Sequence, residues 1–342
     1  MNAKILPIKE PVLNGYPDYA IFLSIIANYE STKDWMYTNF VQLFFDPGAK
    51  YNKLRFFYTD NRGKLFNVLN PWFEYQMINK STVDSCKIDC IDFVVDAINS
   101  NQYVIAHVNE YYIPAAFGYN NYSNSHKMFI YGYDSNEHFY IQGYLRESGQ
   151  YSTSTIKFSD FKLAYENNHC NSDRKMYFLT FDDKKEYPFN KDAFIEQLEY
   201  YLYAKDSSLK LQEHLNPMNH LKFGIDIYTE LKKLFDPDHI EEWFVENNML
   251  NVKPVHVLWE HKKFMLERMK YLGAKGTLLN WVYYYNNFED IEQHAFLIKN
   301  KLMKYGITKQ VALLAEITQL ITVIEKKEIE LITELLNEAY RM

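Results

Sequence analysis

Cysteine is scarce in this chain. Three cysteines in 342 residues, an odd number, give no disulfide framework and suit a reducing compartment such as the cytoplasm. No uninterrupted apolar run approaches the roughly 20 residues that a membrane-spanning helix needs. The opening stretch, MNAKILPIKEPVLNG, lacks the long apolar core of a secretory signal. There is no basic block either. The 37 basic residues are outnumbered by 44 acidic ones, which argues against a nucleic-acid binder, whose affinity rests on clustered Lys and Arg facing phosphates. These absences lead us to expect no membrane and no nucleic-acid partner.

Aromatic side chains are abundant instead, with 30 Tyr and 24 Phe. Aromatic surfaces line ligand grooves, but in a chain also rich in Asn, Lys and Ile the same abundance follows from AT-rich codon usage. The length favours two domains, and the pattern changes near residue 186. Up to there helix and strand alternate. PDYAIFLSIIANYE reads as a mostly buried helix, with Asp18 as its N-terminal cap or first-turn anion. KLRFFYTD and KLFNVL read as short strands joined by an NRG turn. CIDFVVDAINSN is a helix; QYVIAHVN, HKMFIYGYD, HFYIQGY and KMYFLTF are strands. In KFSDFKLAYEN, Ser159 or Asp160 caps a short helix. Beyond TFDDKKEYPFNKD the period is helical throughout, ending in a long segment from TKQVALLAEITQ onward. No internal repeat and no low-complexity linker is present.

His126 stands at the mouth of the apolar run HKMFIYGYD, where a loop delivers it to a sheet edge. In papain-like folds the base occupies that place and faces a nucleophile at the N-terminus of an early helix. The helix dipole there lowers a thiol pKa. Several other motifs read as structural. Cys86 and Cys90 lie at i, i+4 and read as incidental thiols. A zinc site from Cys86, Cys90, Cys170 and His169 matches no common ligand spacing, so no metal and no cofactor is expected. In HVLWEH the two histidines, His256 and His261, fall about 140° apart around a helix, too far for a zinc motif; the stretch reads as polar helix surface. GAKGTLLNW lacks the spacing of a phosphate loop, and EKKEIE reads as a solvated helix face.

The segment from Gln102 to Asp134 resembles the butirosin-biosynthesis protein H family. The likeness lies in a strand leading into YYIP, a Tyr-rich loop, then His126, an apolar strand and YGYD. It continues through FYIQGY and YSTSTIKFSDFKLAYE, and later through FGIDIYTELKKLF and LWEHKKFMLERMKYL. The resemblance implies an α+β protein: a papain-like cysteine-peptidase fold over residues 1–185, then an all-helical domain over 186–342. It also implies an acyltransferase of natural-product biosynthesis. Such an enzyme moves an acyl group from a carrier-protein thioester to an amine through a cysteine acyl-enzyme.

Carried over residue by residue, the family's histidine falls on His126. Its cysteine falls on Asp18 or Tyr19, and its acid on Gln142 or the adjacent Gly143. Gln142 can still orient an imidazole, but neither a carboxylate nor a phenol replaces a thiolate at neutral pH. Two functions stay open. One is transfer of an acyl group from an acyl or peptidyl carrier protein to a small-molecule amine, with His126 as the base that deprotonates the amine. The other is a non-catalytic relative that binds a carrier domain, an acyl chain or a partner enzyme. Tyr111, Tyr112 and Tyr119 are expected either to line the substrate pocket or merely to cover the sheet edge. Oligomeric state is left open.

Overall fold

The structure is a computed structural model. It describes residues 3–49, 53–57, 70–146, 149–169, 175–207, 220–240, 244–245 and 249–341. The expected NRG turn, the KLFNVL strand and Cys170 lie outside the described residues. Two compact units result. Residues 1–32 and 66–186 form the first, and residues 33–65 and 187–342 the second.

The first unit is built on a mixed-length antiparallel sheet. Its strands run Phe73–Asn79, Lys175–Phe181, Gln102–Asn109, Ser125–Tyr133, His138–Tyr144 and Tyr151–Lys157 in spatial order, and the short Lys4–Ile5 strand joins Ser125–Tyr133. The central strand, QYVIAHVN, is buried at seven of its eight positions, as an apolar run covered on both faces must be. The two outer strands are mostly half-buried or exposed, which suits sheet edges that meet water.

Helices cover both faces. The helix Pro17–Ile26 is buried from Tyr19 to Ile26, and Phe22 meets Phe73 edge-on at 5.3 Å. On the opposite face lie Cys90–Asn99 and Phe158–Glu166, with Phe93 against Phe178 and Phe139 against Phe158 and Phe161. Asp89 caps Cys90–Asn99 by accepting from the Ile91 and Asp92 N–H groups. A hydrogen bond from Lys162 and those two amides hold the Asp89 carboxyl below its ordinary range. The helix Phe158–Glu166 begins one or two residues before the expected Ser159 or Asp160 cap. Its N-cap is Lys157, and no side chain caps it.

The YGYD signature has structural reasons. Gly132 pairs with Ile5, and a Cβ there would fall 2.7 Å from the Lys4 carbonyl oxygen. Tyr133 donates from its hydroxyl to Asn99 Oδ1 at 2.7 Å. Asp134 Oδ1 accepts from the Asn136 and His138 amides, closing the turn to the next strand as an Asx side chain does.

The second unit is mostly helical. Its helices include Lys33–Thr38, Lys191–Leu202, Ile227–Leu234, Lys253–Ala274, Trp281–Thr308 and Ala312–Ala339. Two residues past the short Lys33–Thr38 helix stands Phe40, whose φ of 59° is left-handed. Arg268, fully buried, donates to the carbonyls of Tyr37, Asn39 and Phe40. It thereby satisfies the orphan C-terminal carbonyls with a cation. Burial pushes its pKa down to about 9.

Two charge readings from the sequence are corrected here. HVLWEH is not polar surface: Glu260 and His261 are buried. EKKEIE is not wholly solvated, because Glu328 is completely buried. Lys262 Nζ donates to Glu328 Oε1 at 2.6 Å, to Tyr201 Oη at 3.0 Å and to His261 Nδ1 at 3.0 Å. Tyr201 and Tyr228 donate to Glu328 Oε2, and His261 Nε2 donates to the Val41 carbonyl at 2.7 Å. The His261 tautomer follows from these partners, and burial with the neighbouring Lys262 charge holds its pKa well below the usual value. Burial likewise raises both tyrosines well above theirs.

A fully satisfied buried pair adds little net stability, but removing one partner strands a charge. Glu328→Ala is therefore expected to cost about 3–5 kcal/mol. The double replacement Lys262→Met, Glu328→Leu is expected to recover most of that loss. Chemical denaturation of the three proteins checks both expectations.

Candidate functional site

Adjacent residues on a strand point to opposite faces, so pairing register decides what the residues around position 126 can touch. His126 pairs with Val108, and Lys127 with His107. Phe129 pairs with Gln142, and Ile130 with Ile141. One face therefore carries Val108, His126, Met128, Ile130 and Ile141. The other carries His107, Lys127, Phe129 and Gln142.

The helix Pro17–Ile26 lies on the second of these faces. There Lys127 donates to Asp18, the first-turn anion of that helix. The N-cap is Tyr16, with no side-chain capping bond. Tyr19 is 1% exposed, with its ring edge-on to Tyr16. Gln142 is buried on the same face, and its Oε1 accepts no hydrogen bond. Nearby, Tyr144 donates from its hydroxyl to the Asn14 carbonyl. The structure thus brings Asp18 and Gln142 to one face with Lys127, and turns His126 to the other.

His126 has a different carboxylate. Its Nδ1 lies 3.3 Å from Glu110 Oε1; the two side chains are 38% and 12% exposed. Glu110 directly follows the central strand, in a single turn of 3-10 helix, Glu110–Tyr112. Asn109 caps that turn by accepting from the Tyr111 amide, while its Nδ2 donates to Ser123 Oγ. Asn124 Nδ2 donates to Glu110 Oε2 at 3.1 Å, and the Glu110 amide donates to the Asn124 carbonyl at 2.9 Å. Gly118 makes room, since a Cβ there would stand 2.9 Å from Glu110 Cβ and 3.0 Å from the Tyr122 carbonyl oxygen. A carboxylate held by an amide and aimed at an imidazole is the arrangement that orients a histidine base. Sequence reasoning did not single out Glu110. Its one signal is a charged residue placed directly after an almost wholly buried strand.

A small cleft adjoins this pair. The ladder joining the Ser125–Tyr133 and His138–Tyr144 strands begins at Phe129 and Gln142. Beyond it the two ends diverge, with His126, Lys127 and Met128 on one side and Gly143, Tyr144 and Leu145 on the other. The cleft measures about 30 Å³, room for about two water-sized groups at roughly 10–15 Å³ each. Ile113 and Ala116 of the 110–122 loop line it. The three candidate tyrosines do other things. Tyr111 and Tyr112 pack edge-on at 5.1 Å, and the Tyr119 ring lies 5.6 Å from the Arg146 guanidinium carbon.

Among the described residues, Cys86 and Cys90 are placed for no shared chemistry. Cys86 follows the short helix Lys80–Ser85, and Lys87, with a left-handed φ of 54°, separates it from Cys90–Asn99. The two therefore do not share a helix face, contrary to the i, i+4 reading. Burial, with Asp89 nearby, pushes the Cys90 thiol up to about 12, the opposite of nucleophile activation. Among the described residues no group of three or more His, Cys, Asp or Glu is placed to hold a metal ion. No helix among them is long and apolar enough to cross a membrane. Comparison with known proteins supplies no family: no family model matches the chain, and no curated protein matches it.

The thiol assignment is open to direct measurement. In the native protein at pH 7.5, iodoacetamide followed by peptide mapping is expected to label Cys86 and to leave Cys90 unmodified until denaturant is added. Equal labelling rates for the two would contradict the burial of Cys90.

Proposed function

We propose that this protein is a non-catalytic relative of the carrier-dependent acyltransferases it resembles, binding an acyl or peptidyl carrier partner without forming an acyl-enzyme. The observation that carries this reading is the Asp18–Lys127 ion pair. It occupies the first turn of the helix where the resemblance would put the cysteine. A carboxylate already paired with an ammonium is a poor acyl acceptor, and the buried Tyr19 phenol offers no alternative at neutral pH. Gln142 lies on the same face but has no imidazole of this strand to orient.

A second reading is favoured by the His126–Glu110 pair. An imidazole beside a carboxylate, 38% exposed and next to a small cleft, can take a proton from an incoming amine. In that reading the amine nitrogen attacks the thioester carbonyl directly. The C–N bond forms and the C–S bond breaks; His126 accepts the amine proton, and the carrier sulfur leaves as a thiolate that takes that proton back from the imidazolium.

Acetyl-pantetheine separates the two readings. Intact-mass measurement after incubation is expected to show no acetyl adduct on the protein. With n-butylamine added, free thiol release at the uncatalysed rate supports the non-catalytic reading. Accelerated release that disappears in His126→Gln supports direct aminolysis. A stable or transient adduct on any side chain contradicts both.

A further inference from the structure

The cleft beside His126 contains a carboxylate with hydrogen-bonding capacity to spare. Glu110 is the more buried member of its pair, at 12% side-chain exposure. It accepts one bond from Asn124 on Oε2 and faces His126 Nδ1 on Oε1 at 3.3 Å, at the long end of hydrogen-bond distances. An ionised carboxylate offers about four acceptor sites, and a buried one gains from a further donor, above all a charged one. The remaining walls are largely apolar, Val108, Ile113, Met128 and Ile141 among them, with Gln142 and Tyr144 also bordering the cleft. Lys127 also borders the cleft, but its ammonium is engaged by Asp18 on the sheet's other face.

We propose that this cleft binds the terminal CH2–NH3+ of a primary alkylammonium ligand, with Glu110 as its counter-ion. The ammonium brings three donors to a carboxylate that has acceptor sites left. Apolar walls accept the adjoining methylenes, as in small-molecule sites that pair a greasy lining with one placed charge. A cleft of about 30 Å³ has room for about two water-sized groups, which suits a CH2–NH3+ end better than a quaternary ammonium or an aromatic ring. The site needs only this geometry and stands whether or not any acyl group is bound or moved.

Gly143 supplies a gentle way to close the cleft. It lines the cleft, and a Cβ built on it meets no atom within 4 Å, so a side chain can start there without displacing neighbours. Calorimetric titration of the full-length protein with n-butylammonium chloride is expected to show saturable binding. Binding of n-butanol and of tetramethylammonium is expected to be weaker by about tenfold or more, the scale of one charge-assisted hydrogen bond. Glu110→Gln should weaken n-butylammonium binding by a similar factor. Gly143→Leu should abolish it without lowering the thermal midpoint, since a strand glycine is replaced where its Cβ meets nothing. Equal binding of n-butanol, full competition by sodium ion, or parental affinity in Gly143→Leu would each overturn the proposal. None of these outcomes depends on the acetyl-pantetheine result.

Discussion

Along the strand Ser125–Tyr133 successive side chains leave opposite faces of the sheet, and the strand's register is fixed from both sides. Val108 sits opposite His126, Gln142 opposite Phe129, and Gly132 opposite Ile5, where only a hydrogen side chain leaves room. A slip of one residue would move Phe129 and Ile130 each to the other face, so burial on both sides specifies the pairing strongly. Everything at the candidate site follows from that parity. Lys127 meets Asp18 of the Pro17–Ile26 helix, His126 meets Glu110, and an ion pair and an imidazole–carboxylate pair built from neighbouring residues end up on opposite sides of one sheet.

The same parity marks what was legible in the sequence. Each strand of QYVIAHVN, HKMFIYGYD, HFYIQGY and KMYFLTF is present where period and turn chemistry place it. A mixed helix and strand region precedes a C-terminal helical region, but that region is not all-helical as expected, since it holds the short strands Lys222–Phe223, Phe244–Val245 and Met249–Leu250. The face on which His126 emerges was not legible, because it depends on pairing with strands whose register no local pattern states. Glu110 was hidden for a related reason. Its partners, Asn124 and His126, lie across a loop from it, and only the fold brings that loop back on itself.

Buried charges in the helical unit were legible but misread. Val255, Leu258, Lys262, Met265, Met269 and Leu272 alternate steps of three and four, and so do Ile321, Ile324, Glu328, Leu331 and Leu335. All eleven are buried. Lys262 and Glu328 each occupy a core position of a helical stripe, where a lone charge demands an opposite one on a facing helix. Reading EKKEIE by its charge density alone assigned it to solvent; reading position within the stripe assigns Glu328 to the core. An apolar pair of similar volume would pack there at no greater cost.

The central claim is that Lys127, rather than His126, faces the helix Pro17–Ile26. Two double-mutant cycles measured by chemical denaturation test it most directly, one combining Asp18→Ala with Lys127→Ala and the other combining Asp18→Ala with His126→Ala. The Lys127 cycle is expected to show a coupling energy of up to about 1 kcal/mol, the range for a part-exposed ion pair, and the His126 cycle none. Coupling between Asp18 and His126 with none to Lys127 would contradict the register on which the whole account rests.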